Sequence, residues 1–334
     1  QEAVLSLAAR VGVALVDPGI DFVTRDPVGG KPIPLEEHQR VNGALAELLD
    51  TMPPDVLEDM TAAELLDRLS DDTAAFLVLR SRLEGTMGAP LDEVAATEIG
   101  PDYGFGQHSY YRISGGNASL AEVLAGGLDI HFESRVLSLS QRGTEVVLST
   151  AAGEHEADLV VMAVPLPVLQ TFDLDPAPSL VAPALHALRM GSAAKVAMAT
   201  NGTPPLFRRQ DADIPAWYWT GLKSGGSTRN AVTGFAGSKA GAEALMKDPV
   251  TRLRQAMPEV DLLGAPATVD WGADPLTGGC YSVLGPGQRS LLDVFRHPWG
   301  RMVIAGEHSN GSGSIDGAIR SGQDATAMVL DLLS

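Results

Sequence analysis

The segment from Arg301 to Gly322 constrains the fold more than any other stretch of the chain. A short apolar run, Arg301 to Ala305, ends in Gly306-Glu307, a turn containing Gly313 follows, and a helix opens at Ser314. A glycine-rich turn between strand and helix lets a ligand approach the backbone closely. Ser314 has N-cap chemistry, and the free amides at Ile315 and its neighbours, with the helix dipole, make a site for negative charge. On spacing alone, an ordinary strand–turn–helix accounts for the segment better than a ligand site does. Ile315, Ile319, Gly322, Thr326 and Val329 fall on one face of the closing helix, the face expected to pack.

Upstream, Gln1 to about Ala96 reads as helices, with Val41, Leu45, Leu48 and Leu49 at helical spacing and Thr61 and Glu64 placed as a capping box. Turn residues from Ser114 to Ser119 precede a short helix through Leu120, Val123 and Leu124. Ile130 to Leu139, Thr144 to Thr150 and Ala157 to Val164 read as three strands of a β-meander. Lys195 to Thr200, Pro215 to Thr220 and Ala231 to Ala236 read as further strands, and Ala242 to Met257 as a helix. Lys195 on its own has the look of a snorkelling residue on an edge strand, and Trp217, Tyr218 and Trp219 of core packing.

Charge and composition exclude several functions. Lys and Arg number 24 against 42 Asp and Glu, and the net charge of -18 opposes nucleic acid and anionic membrane. Charged residues punctuate every apolar run, so no membrane span is expected. The lone cysteine, Cys280, rules out an internal disulfide and fits a reducing, cytoplasmic setting. The seven histidines lack metal-ligand spacing, so no metal site is expected, and no order of Ser, His and Asp suggests a hydrolase.

The closing segment resembles the carboxy-terminal signature of the flavin-containing amine oxidases, the monoamine oxidase, polyamine oxidase and L-amino-acid oxidase type. In that signature a strand ends in AGE and a helix carries GA..SG. The resemblance is joined in order by Ile113 to Leu120, Ser134-Arg-Val136, Ala157 to Leu169, Met190 to Val196 and Gly278-Gly-Cys-Tyr281. It covers Ile113 to Leu332 well and Gln1 to Asp102 loosely.

The resemblance implies an FAD cofactor and assigns residues to it. Val136 matches a backbone contact to adenine, Gly306 and Glu307 the turn near the phosphate and ribityl chain, and Ile315, with Ser314 and Asp316 beside it, the amide given to the isoalloxazine O2. Lys195 matches a lysine that holds a water against N5. Cys280 matches a position that carries a flavin thioether in some relatives, and a small buried hydrophobe is an equal account of it. Tyr281 matches an aromatic wall beside the substrate amine. The family places an aromatic where Ser314 stands, so the cage is open on that side unless Trp217, Tyr218 or Trp219 compensates.

The fold implied is α/β plus α+β: a partial FAD-binding domain of the Rossmann-like, glutathione-reductase type interleaved with a mixed or antiparallel-sheet substrate domain. Residues 1–110 form the helical part of the substrate domain, 111–178 the middle of the FAD-binding domain, 179–270 the substrate sheet and helix, and 271–334 the end of the FAD-binding domain. The G-x-G-x-x-G unit that opens such flavoproteins is absent from this sequence, and neither Gly225-Gly226 nor Gly278-Gly279 has its strand-to-helix context. The chain alone is therefore expected to be inactive, the missing unit lying on a second polypeptide, on an excised piece, or beyond a truncation. The implied reaction is oxidation of an amine or amino acid to an imine by hydride transfer to flavin N5, with O2 as acceptor. A carotenoid-desaturase-like or protoporphyrinogen-oxidase-like flavoprotein is the alternative, and a partner-dependent subunit without activity is the non-enzymatic one.

Overall fold

The computed structural model describes residues 2–17, 24–100, 111–176, 179–223 and 228–334. Gln1, Asp102, the Gly225-Gly226 pair and the expected domain ends at 110 and 178 lie outside the described residues.

The first third is helical, as its apolar spacing predicts: Glu2–Val11, Leu35–Thr51, Pro54–Glu58, Ala62–Asp67 and Ala74–Met87. The capping box forms. The Glu64 amide donates to Thr61 Oγ1 at 3.1 Å, and the Thr61 amide donates to the Glu64 carboxylate at 2.9 Å. Leu45, Leu65, Leu66, Leu79 and Leu83 close one core, which also takes Val283 from far along the chain.

A six-stranded sheet stands beside these helices, in the order Leu262–Asp270, Ala193–Thr200, Thr228–Gly237, Ala216–Leu222, Arg208–Asp211 and Asp26–Pro27. Only the last pairing is parallel. Because side chains alternate along a strand, Ala194, Val196 and Met198 enter a core with Tyr218, Val232, Leu245 and Leu253, while Lys195 and Ala197 turn to the other face. The strand bearing Lys195 is interior, hydrogen-bonded on both sides, which corrects the edge reading. Leu262–Asp270 gives no strand signal because Gly264 and Pro266 interrupt it; an edge tolerates the proline, and Gly264, at φ 76°, falls where the register shifts. The helix expected over 242–257 is two, Lys239–Lys247 and Pro249–Ala256. Pro249 cannot donate to the preceding turn, and Asp248 caps the new helix by accepting from the Thr251 amide at 3.1 Å.

The meander exists but is displaced. It comprises Val136–Arg142, Glu145–Thr150 and Gly153–Ala157, with Asp173–Asp175 added in parallel. Its first strand starts only at Val136, since Glu133 adopts φ 56° and Phe132 is 80% exposed. Its third strand presents Glu154, His155 and Glu156 to solvent on a sheet edge and so has no apolar pattern. The apolar residues expected to form it instead supply Val160–Met162, which pairs in parallel with Met302–Ile304.

The closing helix, Ile315–Leu333, packs Ile319 and Val329 as its apolar spacing suggests, but its most buried face is turned from theirs. Gly317, Ser321 and Ala325 are its buried positions, and Ala325 lies against Val303 and Ala305. Small residues four apart allow the close approach. Ile315 is 45% exposed.

The helix Ala74–Met87 crosses the sheet at two glycines. A Cβ on Gly85 would lie 2.9 Å from the Pro215 carbonyl oxygen, and one on Gly237 would overlap the Gly85 backbone itself. Backbone on both sides leaves nothing that can yield. Gly237→Ala is therefore expected to destabilise the protein by about 1–3 kcal/mol or more. Gly43→Ala, on an exposed helical face with nothing within 4 Å of the added methyl, is expected to stabilise it by roughly 1 kcal/mol. Urea midpoints of the two variants check both, and equal midpoints would contradict the crossing.

Candidate functional site

The end of the helix that crosses the sheet builds the site. Gly88 stops that helix in the left-handed region at φ 70°, and its carbonyl accepts from the Ser192 amide at 2.8 Å. Gly191 then donates to the Tyr281 carbonyl at 2.7 Å and accepts from the Cys280 amide at 2.9 Å. A Cβ on Gly88 would stand 2.8 Å from Cys280 Sγ, and one on Gly191 3.2 Å from it, so the two glycines make the room the thiol occupies. Burial pushes that thiol up to about 11, which keeps it protonated at neutral pH. The Tyr281 hydroxyl donates to the Thr86 carbonyl, fixing the ring to the last turn of the helix.

Glu307 grips the next residue of the same loop. Its carboxylate accepts from the Ser282 amide at 3.1 Å and from the Ser282 hydroxyl at 2.8 Å. Burial raises its pKa, against those hydrogen bonds and one from the Gly313 amide. The carboxylate expected to face a cofactor thus ties the strand end at Gly306 to Ser282. Gly306 adopts φ 142°, where an added Cβ would meet the His308 ring at 2.6 Å, and its amide donates to Ser321 Oγ at 2.9 Å. His308 is 2% exposed, burial pushes it down to about 4, and its Nε2 has no hydrogen-bond partner. It is a neutral, packed ring.

Ser314 caps the closing helix, its Oγ accepting from the Gly317 amide at 3.1 Å, and Ile315 follows exposed. Asp316, assigned to the cofactor by resemblance, accepts from the Val4 amide at 3.1 Å and from Arg320 Nε at 2.7 Å. This carboxylate joins the first helix to the last. A cavity of about 230 Å³ lies between the Tyr281 loop and the Gly311–Ser314 turn; Thr86, Val94, Glu98 and Leu284 complete its wall. Gly313, at φ 56°, faces Tyr281 at 3.6 Å from where a Cβ would be. Lys195, Val136, Cys280, Gly306 and Ile315 are not among its lining residues.

Lys195 stands on the sheet face opposite the core, its Nζ 5.8 Å from the Trp219 ring and 6.0 Å from that of Trp271. Burial, and after it the charge of Arg112, hold its pKa below the ordinary lysine range. Trp217 and Trp219 stack on each other on this face rather than joining the core cluster, which holds Tyr218 alone of the three. Val136 opens the meander, half-buried and paired with Thr150.

The residues fit a planar, anionic cofactor in the respects the structure tests. Gly313, at positive φ, leaves backbone open beside Tyr281, and the capped helix N-terminus next to it presents free amides. No cluster of three or more His, Cys, Asp or Glu able to hold a metal ion occurs among the described residues. No helix among them is long and apolar enough to cross a membrane. Sequence reasoning missed Thr86, Gly88, Gly191, Ser282 and Trp271. Only Gly88, a glycine at the end of a helical run, carried a local signal; the others matter through partners far along the chain.

The sequence profile of the flavin containing amine oxidoreductases matches residues 44–330, well into the helical third where the resemblance had been loose. Nicotine dehydrogenase of Pseudomonas putida (strain DSM 28022 / S16) is 30% identical over 237 residues, 68% of this chain and 48% of the relative. Pseudooxynicotine dehydrogenase of a Pseudomonas species is 26% identical over 306 residues, 83% of this chain and 59% of the relative. The chain thus spans about half the length of the curated relatives it matches. Among solved structures, cyclohexylamine oxidase from Brevibacterium oxydans IH-35A superposes with a TM-score of 0.78 at 18% identity, covering 99% of this chain and 86% of that one. A triple mutant of putrescine oxidase from a redesign of cofactor binding gives 0.82 at 17%, covering 99% and 85%. These likenesses show the mixed α/β fold with several sheets. The chain belongs to the flavin-containing amine oxidoreductase family, a family of enzymes whose cofactor is FAD.

Proposed function

We propose that this chain carries the substrate-facing part and the closing part of the flavin site of an enzyme that oxidises the C–N bond of an amine or amino acid to an imine. The observation that carries this reading is the gap between the Tyr281 loop and the turn at Gly313. There an aromatic ring anchored on Thr86 faces the Ser314-capped N-terminus of the closing helix.

When bound, FAD supplies the acceptor for a hydride equivalent from the carbon beside the amine nitrogen, and O2 then takes the electrons. The protein's own groups do the rest. The amides at Ile315 and its neighbours favour negative charge at the pyrimidine end, and Tyr281 walls the amine. Lys195 would hold a water toward the bound flavin and place a positive charge beside it. Val136 offers backbone to the adenine and Gly306 to the ribityl chain. Glu307 acts through Ser282, as a positioning residue for the Cys280-Tyr281 loop. Cys280 stays a thiol packed between Gly88 and Gly191, and its raised pKa supports noncovalent binding.

The domain plan follows the same reading. Residues 111–178 and 271–334 form the FAD-binding part, supported by the parallel pairing of Val160–Met162 with Met302–Ile304. Residues 1–110 and 179–270 form the substrate domain.

Anaerobic mixing with a panel of amines and amino acids, followed by admission of oxygen, tests the function. Bleaching of the flavin's visible band by one of them is the expected result, and a folded flavoprotein that none bleaches overturns the reading. Lys195→Met is expected to leave bleaching within a few-fold and to slow reoxidation by roughly 100-fold. Because burial lowers the lysine's pKa, the ammonium is present at low pH. The rate of reoxidation should therefore fall as pH rises through a midpoint below that of an ordinary lysine, and Lys195→Met should abolish that fall. Ser314→Ala removes the helix cap and is expected to cost about 1 kcal/mol in a denaturant midpoint.

A further inference from the structure

The sheet face that bears Lys195 carries a file of stacked planar groups. Register places Lys195, Phe235 and Trp217 in one row across three strands, and Ala197, Thr233 and Trp219 in the next. Trp217 and Trp219, two apart on one strand, stack at 3.9 Å between centroids and 14° between planes. The Arg25 guanidinium lies 4.1 Å from the Trp217 centroid. Since two groups at such distances cannot share one side of a ring, Arg25 and Trp219 take its opposite faces.

Arg25 is itself fixed from behind. It is buried, and its Nη1 donates to Gln210 Oε1 at 2.6 Å; Gln210 Nε2 donates to Ser81 Oγ at 2.8 Å, and Ser81 Oγ donates to the Asp211 carbonyl. The file thus runs from the helix Ala74–Met87 through Gln210, Arg25, Trp217 and Trp219 to the Lys195 ammonium. We infer that Trp219, backed by Trp217 and Arg25, is the positioning residue for Lys195, its indole face holding the ammonium charged and in place.

The physical case is a balance of terms. Burial and Arg112 both disfavour the charged lysine. Its strand partners Phe235 and Val269 carry no charge, and the nearby Asp270 carboxylate accepts from the Gly272 and Ala273 amides at 3.0 and 3.2 Å. The ring faces of Trp219 and of Trp271, in the turn just past the neighbouring strand, are attractive groups close to it. A desolvated cation over an indole gains enough to move a pKa by about half a unit to one unit.

The inference rests on the proposed function for its catalytic consequence, though the electrostatics is measurable without the flavin. The chain has five lysines, at 31, 195, 223, 239 and 247, so reductive ¹³C-dimethylation gives a sparse spectrum in which Lys195→Arg assigns one resonance. In the intact protein without added FAD, Trp219→Leu is expected to lower the Lys195 pKa by about half a unit to one unit, and Trp219→Phe to restore most of it. The other four lysines should not move. In the unaltered protein the Lys195 methyls should resonate upfield of those four, a ring-current readout that needs no variant to fold. A Lys195 pKa equal in folded Trp219→Leu and Trp219→Phe, or methyls without upfield displacement, overturns the inference. Should the pKa shift as stated while Lys195→Met leaves flavin reoxidation unchanged, the functional reading fails and the positioning contact stands.

Discussion

The close passage of Gly85 over Gly237 sets the depth at which one helix lies on the six-stranded sheet, and the site hangs from the end of that helix. Three residues beyond the crossing the helix stops at Gly88. Its last turn offers Thr86 to the Tyr281 hydroxyl and Gly88 to Ser192, while the space above Gly88 receives the Cys280 sulfur. A shift of the helix by the width of a methyl group would displace all three contacts together. The contact of these two glycines thus governs the geometry of a loop nearly two hundred residues from the helix that anchors it.

A second constraint is dielectric. Burial is the largest cause of the shifts at Lys195, Cys280, Glu307 and His308, and it disfavours charge at each. A site of this kind keeps its thiol protonated, its imidazole neutral and its lysine easily discharged. Charge placed there by a helix N-terminus or a held ammonium then acts with little screening.

Much of the fold was legible because it rests on local patterns. The capping box at Thr61, the helical spacing around Leu45 and the apolar strand ending at Gly306 each specify their own structure. What was not legible depends on partners. Leu262–Asp270 is a strand because Ala193–Thr200 offers it an edge, and its own Gly264 and Pro266 argue the other way. Gly153–Ala157 is a strand of charged residues for the same reason. The closing helix buries Gly317, Ser321 and Ala325, since close approach to Val303 and Ala305 favours small side chains over the larger ones that periodicity selects. At the site, the glycine-rich turn was readable, whereas the partners that Asp316 and Glu307 find within the chain, Val4 and Ser282, were not, since both lie far off in sequence.

The central claim is that the Tyr281 loop and the Gly313 turn enclose one side of a flavin. Flavin content of the intact protein tests it most directly: FAD is added, unbound cofactor removed, the protein precipitated with acid, and the flavin in supernatant and pellet quantified per chain. The account predicts an equimolar amount of FAD released to the supernatant, and its loss in a variant whose Gly313 is replaced by valine. A folded protein that takes up no FAD at saturating cofactor, or a Gly313→Val variant that binds it unchanged, would contradict the account.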